Sequence, residues 1–301
     1  MSGLTMGLPQ KLAVVTDLHL EGKDIRTIKC LTDKFDAARK MGATAFLICG
    51  DLFTVTGDHW NNLKAGATED QKKAMEVHSV NLVENSVRQL IKAAGGLPIF
   101  VIKGNGDHIA YEHMQKVFPV AFHYVRNTSQ ISLPPTKIVV LGQGGVPALH
   151  TKNEAISQNS PWYLGVLPDA EYDQLIANSA RPDGTWAWAH AVWMTHMPAL
   201  GYLDAFRGEH QGSQAVIDFI RRNSPLIHLC GHMHGGSTTK NGDIKIYTPY
   251  AVIDNKTLTI NPGSNPSGDE VKMVIVDPDL VFQFRIEGTL EQNADKCVTW
   301  F

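Results

Sequence analysis

Cysteine is scarce in this chain: four in 301 residues, Cys30, Cys49, Cys230 and Cys297, without the close spacing of a paired framework. A disulfide-stapled secreted scaffold is excluded, and a reducing compartment is expected. Long hydrophobic runs are missing too, since none approaches the ~20 residues that cross a bilayer. Met1 to Gln10 carries neither the basic patch nor the apolar core of a signal peptide, so a soluble cytoplasmic protein without a membrane partner is expected. Charge of one sign is lacking: 27 Lys and Arg against 30 Asp and Glu leave a net charge of −3. With no excess positive field, a nucleic-acid polymer is a poor partner. Small anionic substrates remain open, because bound metal ions can supply local charge. No repeat, low-complexity tract or Pro- or Gly-rich linker interrupts the chain, so one domain over residues 1–301 is expected although the length would allow two.

What the chain does have is a series of short apolar runs that each end in a polar motif. Leu12 to Thr16, Ala45 to Cys49, Pro98 to Ile102, Ala191 to Thr195 and Leu226 to Cys230 read as buried β-strands. They lead into Asp17-x-His19, Gly50-Asp51, Gly104-Asn105, Thr195-His196 and Gly231-His232-Met233-His234-Gly235 respectively. Any one of these is weak, since a capped turn or a satisfied buried histidine explains it. Five at successive strand ends predict a site, because the carboxyl ends of strands in α/β sheets form the ligand crevice.

The residue types suit two divalent cations, which need a shared carboxylate and lie about 3.5–4 Å apart in such centres. Asp51 is the natural bridge. Asp17 and His19 reach one metal, with His234 closing that set, while Asn105, His196 and His232 serve the second. Imidazole nitrogen with carboxylate and amide oxygen suits Mn, Fe, Zn or Ni, whereas a mostly oxygen set would suit Mg or Ca.

These motifs, in this order, resemble the signature of the calcineurin-like metallophosphoesterases. Asn261-Pro262-Gly263-Ser264 is similar to a segment on a late strand of that family's small bacterial and archaeal members. The likeness spans Lys11 to about Ile286. It implies an α/β four-layer sandwich, two mixed β-sheets flanked by helices, and hydrolysis of a small phosphoester by a hydroxide held between two divalent metals.

One position departs from the pattern. The family's commonest form is Gly-Asn-His-Asp/Glu, whose histidine is thought to protonate the leaving oxygen, and here Gly106 stands in that place. His108, two residues on, is a candidate replacement, with Asp107 orienting it or His19 from behind. Asn105 is expected both to bind metal and to hold phosphoryl oxygen. A substrate whose leaving group is stable as an anion needs no proton, so phosphodiesters with acidic leaving groups and nucleotide-type pyrophosphates are favoured over alkyl monoesters. The competing readings are a phosphomonoester phosphatase and a non-catalytic metal-binding scaffold. A scaffold is disfavoured because every ligand position holds a competent residue.

Helices are expected between the strands, from the stripes Ile25, Ile28, Leu31, Phe35, Ala38 and Val83, Val87, Leu90, Ile91, Ala94, and over Ala170 to Ala180 and Ser213 to Asn223, the last with Ser213 as N-cap. Ile244 through Ile286 alternates strand runs with turns such as Asp277-Pro278-Asp279, and reads as the second sheet. Thr289 to Phe301 reads as a surface tail. Two segments read as caps beside the site: 53–68, with His59 as a candidate phosphate contact and Trp60 as a loop anchor, and 143–168, with His150, Trp162 and Tyr163.

Overall fold

The expected strand runs fall into two six-stranded sheets. The computed structural model describes residues 10–20, 25–53, 68–107, 111–126, 130–133, 138–147, 166–179, 188–206, 208–234, 237–240, 243–263 and 271–301. His59, Trp60, His108, His150, Trp162, Tyr163 and most of both cap segments lie outside these residues. In chain order the sheet strands are β1 (Lys11–Val15), β2 (Ala43–Ile48), β3 (Ile99–Val101), β4 (Phe122–Tyr124), β5 (Gln130–Ser132), β6 (Val139–Gln143), β7 (Ala191–Thr195), β8 (Ile227–Leu229), β9 (Tyr250–Ile253), β10 (Thr257–Ile260), β11 (Val274–Val276) and β12 (Val298–Trp300). The α-helices are α1 (Ile25–Lys40), α2 (Glu69–Ala94), α3 (Tyr111–Val117), α4 (Asp169–Ala177), α5 (Gln214–Asn223), α6 (Pro278–Ile286) and α7 (Leu290–Cys297).

The first sheet runs β12-β11-β1-β2-β3-β4 and the second β9-β10-β8-β7-β6-β5. β1 to β4 are mutually parallel, as are β10, β8, β7 and β6, and the remaining strands pair antiparallel at the edges. Parallel strands covered on both faces carry apolar residues at most positions, which is why these runs read as continuous rather than alternating. Leu12 and Val14 of β1 join Leu47, Val192, Met194 and Leu229 in the core between the sheets. Ala13 and Val15 turn the other way, onto a core with Leu31, Phe35, Val87 and Leu90 from α1 and α2. On the far side Trp193 stacks on Phe219 of α5, ring centroids 4.3 Å apart. Helix, sheet, sheet and helix thus form four layers, as expected.

Ser213 caps α5 by accepting a hydrogen bond from the Val216 amide at 3.3 Å. The C-terminal third differs from expectation. β9 and β10 do lie in the second sheet, but β11 inserts beside β1 in the first, with Leu12 opposite Val276. Asp243–Tyr247 forms a separate ribbon with Ser237–Lys240. Asp277-Pro278 is no sheet turn: Asp277 accepts from the amides of Asp279 and Leu280 and starts α6, with Pro278 in its first turn. Thr289 to Phe301 is no tail either, for Leu290, Ala294 and Cys297 bury one face of α7 and β12 then pairs with β11. Among the described residues, no helix is long and apolar enough to cross a membrane.

Candidate metal centre

Beyond the ends of β1 and β2 the two segments stay in register. The amides of Asp17, His19 and Leu20 donate to the carbonyls of Gly50, Asp51 and Leu52 at 3.1, 2.9 and 2.9 Å. Within this continued ladder Asp17, His19 and Asp51 all adopt left-handed backbone, with φ of 49°, 44° and 48°. His232, after β8, does the same at 65°. Such conformations disfavour L-residues and persist only where surrounding contacts impose them, as they do at functional sites.

The result is a tight ring of donor atoms. Oxygen of Asp17 lies with nitrogens of His19 and His234 in one group, and with Asp51 and His196 in another, all atoms of each group within 4.8 Å of one another. His19 Nε2 and His234 Nε2 are 3.3 Å apart. His196 Nε2 stands 3.4 Å from Asp51 Oδ2, 3.9 Å from Asp17 Oδ1 and 3.0 Å from Asn105 Oδ1. Asp51 Oδ2 is also 3.8 Å from His19 Nε2, so both carboxylates span the two groups. The ring of His196 is fixed from behind, its Nδ1 donating to the Cys49 carbonyl at 2.8 Å. That leaves Nε2 turned toward the carboxylates, the arrangement in which a second hydrogen bond orients a metal-binding imidazole. His232 packs edge-on against His196, centroids 5.2 Å apart, while its amide donates to both Asp17 oxygens at 3.1 and 2.9 Å.

Asp107 latches the loop below. It accepts from the Gly104 amide at 2.8 Å and the Phe53 amide at 3.0 Å, joining the segments after β3 and β2. Gly104 and Gly231 are required by close approach: a Cβ at Gly104 would lie 2.0 Å from Asp51 Oδ1, and one at Gly231 would lie 1.9 Å from Thr16 Oγ1. No side chain fits either place.

Burial works against the charge of Asp17, yet a hydrogen bond from His234 and the nearby imidazoles hold its carboxyl below the usual range. Burial likewise opposes the charge of Asp51, and His196 holds its carboxyl down. His196 in turn rises to about 10, burial being outweighed by Asp51 and Asp17. Burial, with His196 beside it, presses His232 down to about 3. Asp107 is pushed up to about 6 by burial and by the charge of Asp51. Among the described residues every ion-pair partner of Asp17 and Asp51 is a histidine. Two buried anions ringed by imidazoles, with an amide oxygen at hand, call for compensating cations, and the donor set fits divalent Mn, Fe, Zn or Ni.

The structure thus brings Asp17, His19, Asp51, Asn105, His196, His232 and His234 together, while His59 and His108 lie outside the described residues. Two further contributors carry little signal in the sequence. Thr16 donates to Asp17 Oδ2 at 2.7 Å. Asn261 reaches the carbonyls flanking His232, and its only sequence signal is the Asn-Pro-Gly-Ser run.

Comparison with known proteins bears on the fold and the family. A solved crystal structure matches with a TM-score of 0.60 at 14% identity, over 91% of this chain and 96% of its own. TT1561 of Thermus thermophilus matches with a TM-score of 0.54 at 15% identity, over 91% of this chain and 96% of that one. Both likenesses concern the fold. The UPF0046 protein K07C11.7 of Caenorhabditis elegans is 42% identical over 43 residues, so this chain spans 15% of that relative's length and the match covers 14% of its own. The family model described as calcineurin-like phosphoesterase matches residues 10–236, well over half of the chain. The chain therefore belongs to the calcineurin-like phosphoesterase family.

Proposed function

We propose that this protein is a dinuclear metal-dependent phosphohydrolase acting on small phosphodiesters or nucleotide-type phosphoanhydrides. The observation that carries the reading is the pair of buried carboxylates, Asp17 and Asp51, whose ion-pair partners are His19, His196 and His234. Asp17, His19 and His234 would hold one cation, and Asn105, His196 and His232 the other, with Asp51 shared. When bound, the two ions supply Lewis acidity and lower the pKa of water. The chain's own residues do the rest: the Asn105 amide orients phosphoryl oxygen, and the Cys49 carbonyl keeps the His196 ring from turning.

The preference for diesters with acidic leaving groups and for phosphoanhydrides over alkyl monoesters follows from Gly106. No side chain at that position can deliver a proton to a departing alkoxide, so leaving groups that are stable as anions are favoured. With a diester the product is a phosphomonoester. The test is metal analysis of purified protein, followed by turnover of bis(4-nitrophenyl) phosphate and 4-nitrophenyl phosphate under the same Mn²⁺ loading. About two metals per chain and a higher kcat/KM on the diester are expected. A protein that takes up no metal, or one that prefers the monoester, overturns the corresponding half of the proposal.

A further inference from the structure

Asn261 lies just past β10, and its side chain is fully buried. Its Nδ2 donates to the carbonyls of Gly231 and Met233 at 3.3 and 3.2 Å, one on each side of His232, and to the Leu203 carbonyl at 3.3 Å. Its Oδ1 accepts from the Gly263 amide at 2.9 Å, and its own amide donates to the Pro249 carbonyl at 2.9 Å. An amide NH₂ has two hydrogens, so three carbonyls share them. The two loops gripped in this way are both held in left-handed backbone, with φ of 65° at His232 and 58° at Leu203. Backbone of that kind relaxes unless something external holds it. The Gly231 amide in turn donates to the His196 carbonyl at 3.0 Å. One side chain thereby ties the loop that carries His232 and His234 to the Leu203 turn, and the backbone of Gly231 links that loop to His196.

We propose that Asn261 is a positioning residue for the metal centre. It fixes the loop from Gly231 to His234 against the Leu203 turn, and so sets how far apart His232 and His234 present their rings. The functional part of this inference rests on the metal-binding reading above; the clamp itself does not. The chemistry of asparagine is specific here. Aspartate would place a carboxylate against three carbonyl oxygens, glutamine carries the same donors one methylene further out, and serine offers a single donor that reaches fewer partners.

The experiment compares Asn261→Ser and Asn261→Gln with Thr257→Val, all in the full chain. Thr257 sits at the other end of β10 and donates to the Pro225 carbonyl at 2.6 Å, so its loss costs a buried hydrogen bond of the same strand away from the metal loops. Amide hydrogen exchange of metal-free protein is read in the loops around Leu203 and Met233, and Mn²⁺ affinity is read by calorimetry. Asn261→Ser is expected to exchange faster in both loops and to bind Mn²⁺ roughly tenfold or more weakly, the usual effect of removing support behind metal ligands. On the diester kcat should fall while KM stays within about twofold. Asn261→Gln should recover part of the Mn²⁺ affinity, and Thr257→Val should lower the melting temperature without touching either readout. Wild-type exchange and wild-type Mn²⁺ affinity in folded Asn261→Ser overturn the proposal, as does equal weakening by Thr257→Val. Should Asn261→Ser fail to fold, the same two readouts on Asn261→Gln decide. A wild-type protein that binds no Mn²⁺ overturns the proposed function, while the exchange data still decide the clamp.

Discussion

Gly106 donates its amide hydrogen to Asp51 Oδ1 at 2.7 Å, and a Cβ built at Gly106 would stand 3.3 Å from that same oxygen. Gly106 is not among the glycines with positive φ. A Cβ can therefore enter once its neighbour gives by a few tenths of an ångström, which makes a histidine at this position a direct test of the missing proton donor. Wild-type turnover should depend steeply on leaving-group pKa across a series of substituted phenyl diesters, and Gly106→His should flatten that dependence and raise activity on poor leaving groups. If His108 already supplies the proton, His108→Ala will steepen the dependence and histidine at position 106 will add little. A wild-type rate insensitive to leaving group, unmoved by either change, contradicts both versions.

Asp51→Asn tests the shared carboxylate. Asparagine keeps an oxygen for the Gly106 amide but removes the negative charge between the two donor groups. One metal should be lost, with a fall in rate of about a hundredfold or more. Metal content by elemental analysis beside turnover checks this, and two retained metals with near-normal rate would remove the site assignment.

His232 and His234 should prove separable. His234 lies in the group with Asp17 and His19, whereas His232 packs on His196. Each alanine substitution should weaken a different metal position, seen as distinct changes in the visible spectrum of the Co²⁺-substituted protein. Identical spectra and stoichiometries for both variants would contradict the two-position arrangement.

His228 should give the fold an acid-sensitive element. It is fully buried between Thr195 Oγ1 and Thr259 Oγ1, each 2.8 Å away. The Thr195 hydroxyl donates to the Met197 carbonyl at 2.5 Å, so it accepts from His228 Nε2, and His228 Nδ1 accepts from Thr259. Burial presses its pKa down to about 3 from the ordinary 6.5. Between those values the unfolded chain binds a proton that the folded chain refuses. Stability from this group is complete above about pH 6.5 and declines as pH falls toward 3, with a limiting slope of ~1.4 kcal/mol per pH unit. Denaturant titrations of metal-free wild type and His228→Gln from pH 4 to 7 check this. The variant should show the shallower slope, and parallel curves would refute it.

The ligand set was legible because it is local. Each candidate ligand follows a strand buried on both faces, whose mostly apolar run announces its own end, as Ala191 to Thr195 does before His196. What the local pattern does not specify acts at a distance or in short pieces. Asn261 does its bonding to carbonyls thirty or so residues away, and nothing in its neighbours' periodicity says so. The stripe Leu290, Ala294, Cys297 was present but lies in a helix of eight residues rich in polar side chains. Asp277-Pro278 carried a helix start that also reads as a turn. Placing β11 in the first sheet depends on antiparallel pairing with β1, which local hydrophobic pattern does not encode.

That pairing bears on how the protein is made. The strand leading to Asp17 is flanked by β2, close behind it in sequence, and by β11, which follows every strand of the second sheet and is itself covered by β12. Contacts of such sequence separation form slowly, and a growing chain cannot form them before both partners have left the ribosome. Until then the edge of β1 stays open to other strands, and the ladder that bends Asp17 and His19 into place has one wall missing. Ordering of the loop that carries Asp17 and His19 therefore waits on a segment, Val274–Val276, that holds none of the candidate ligands.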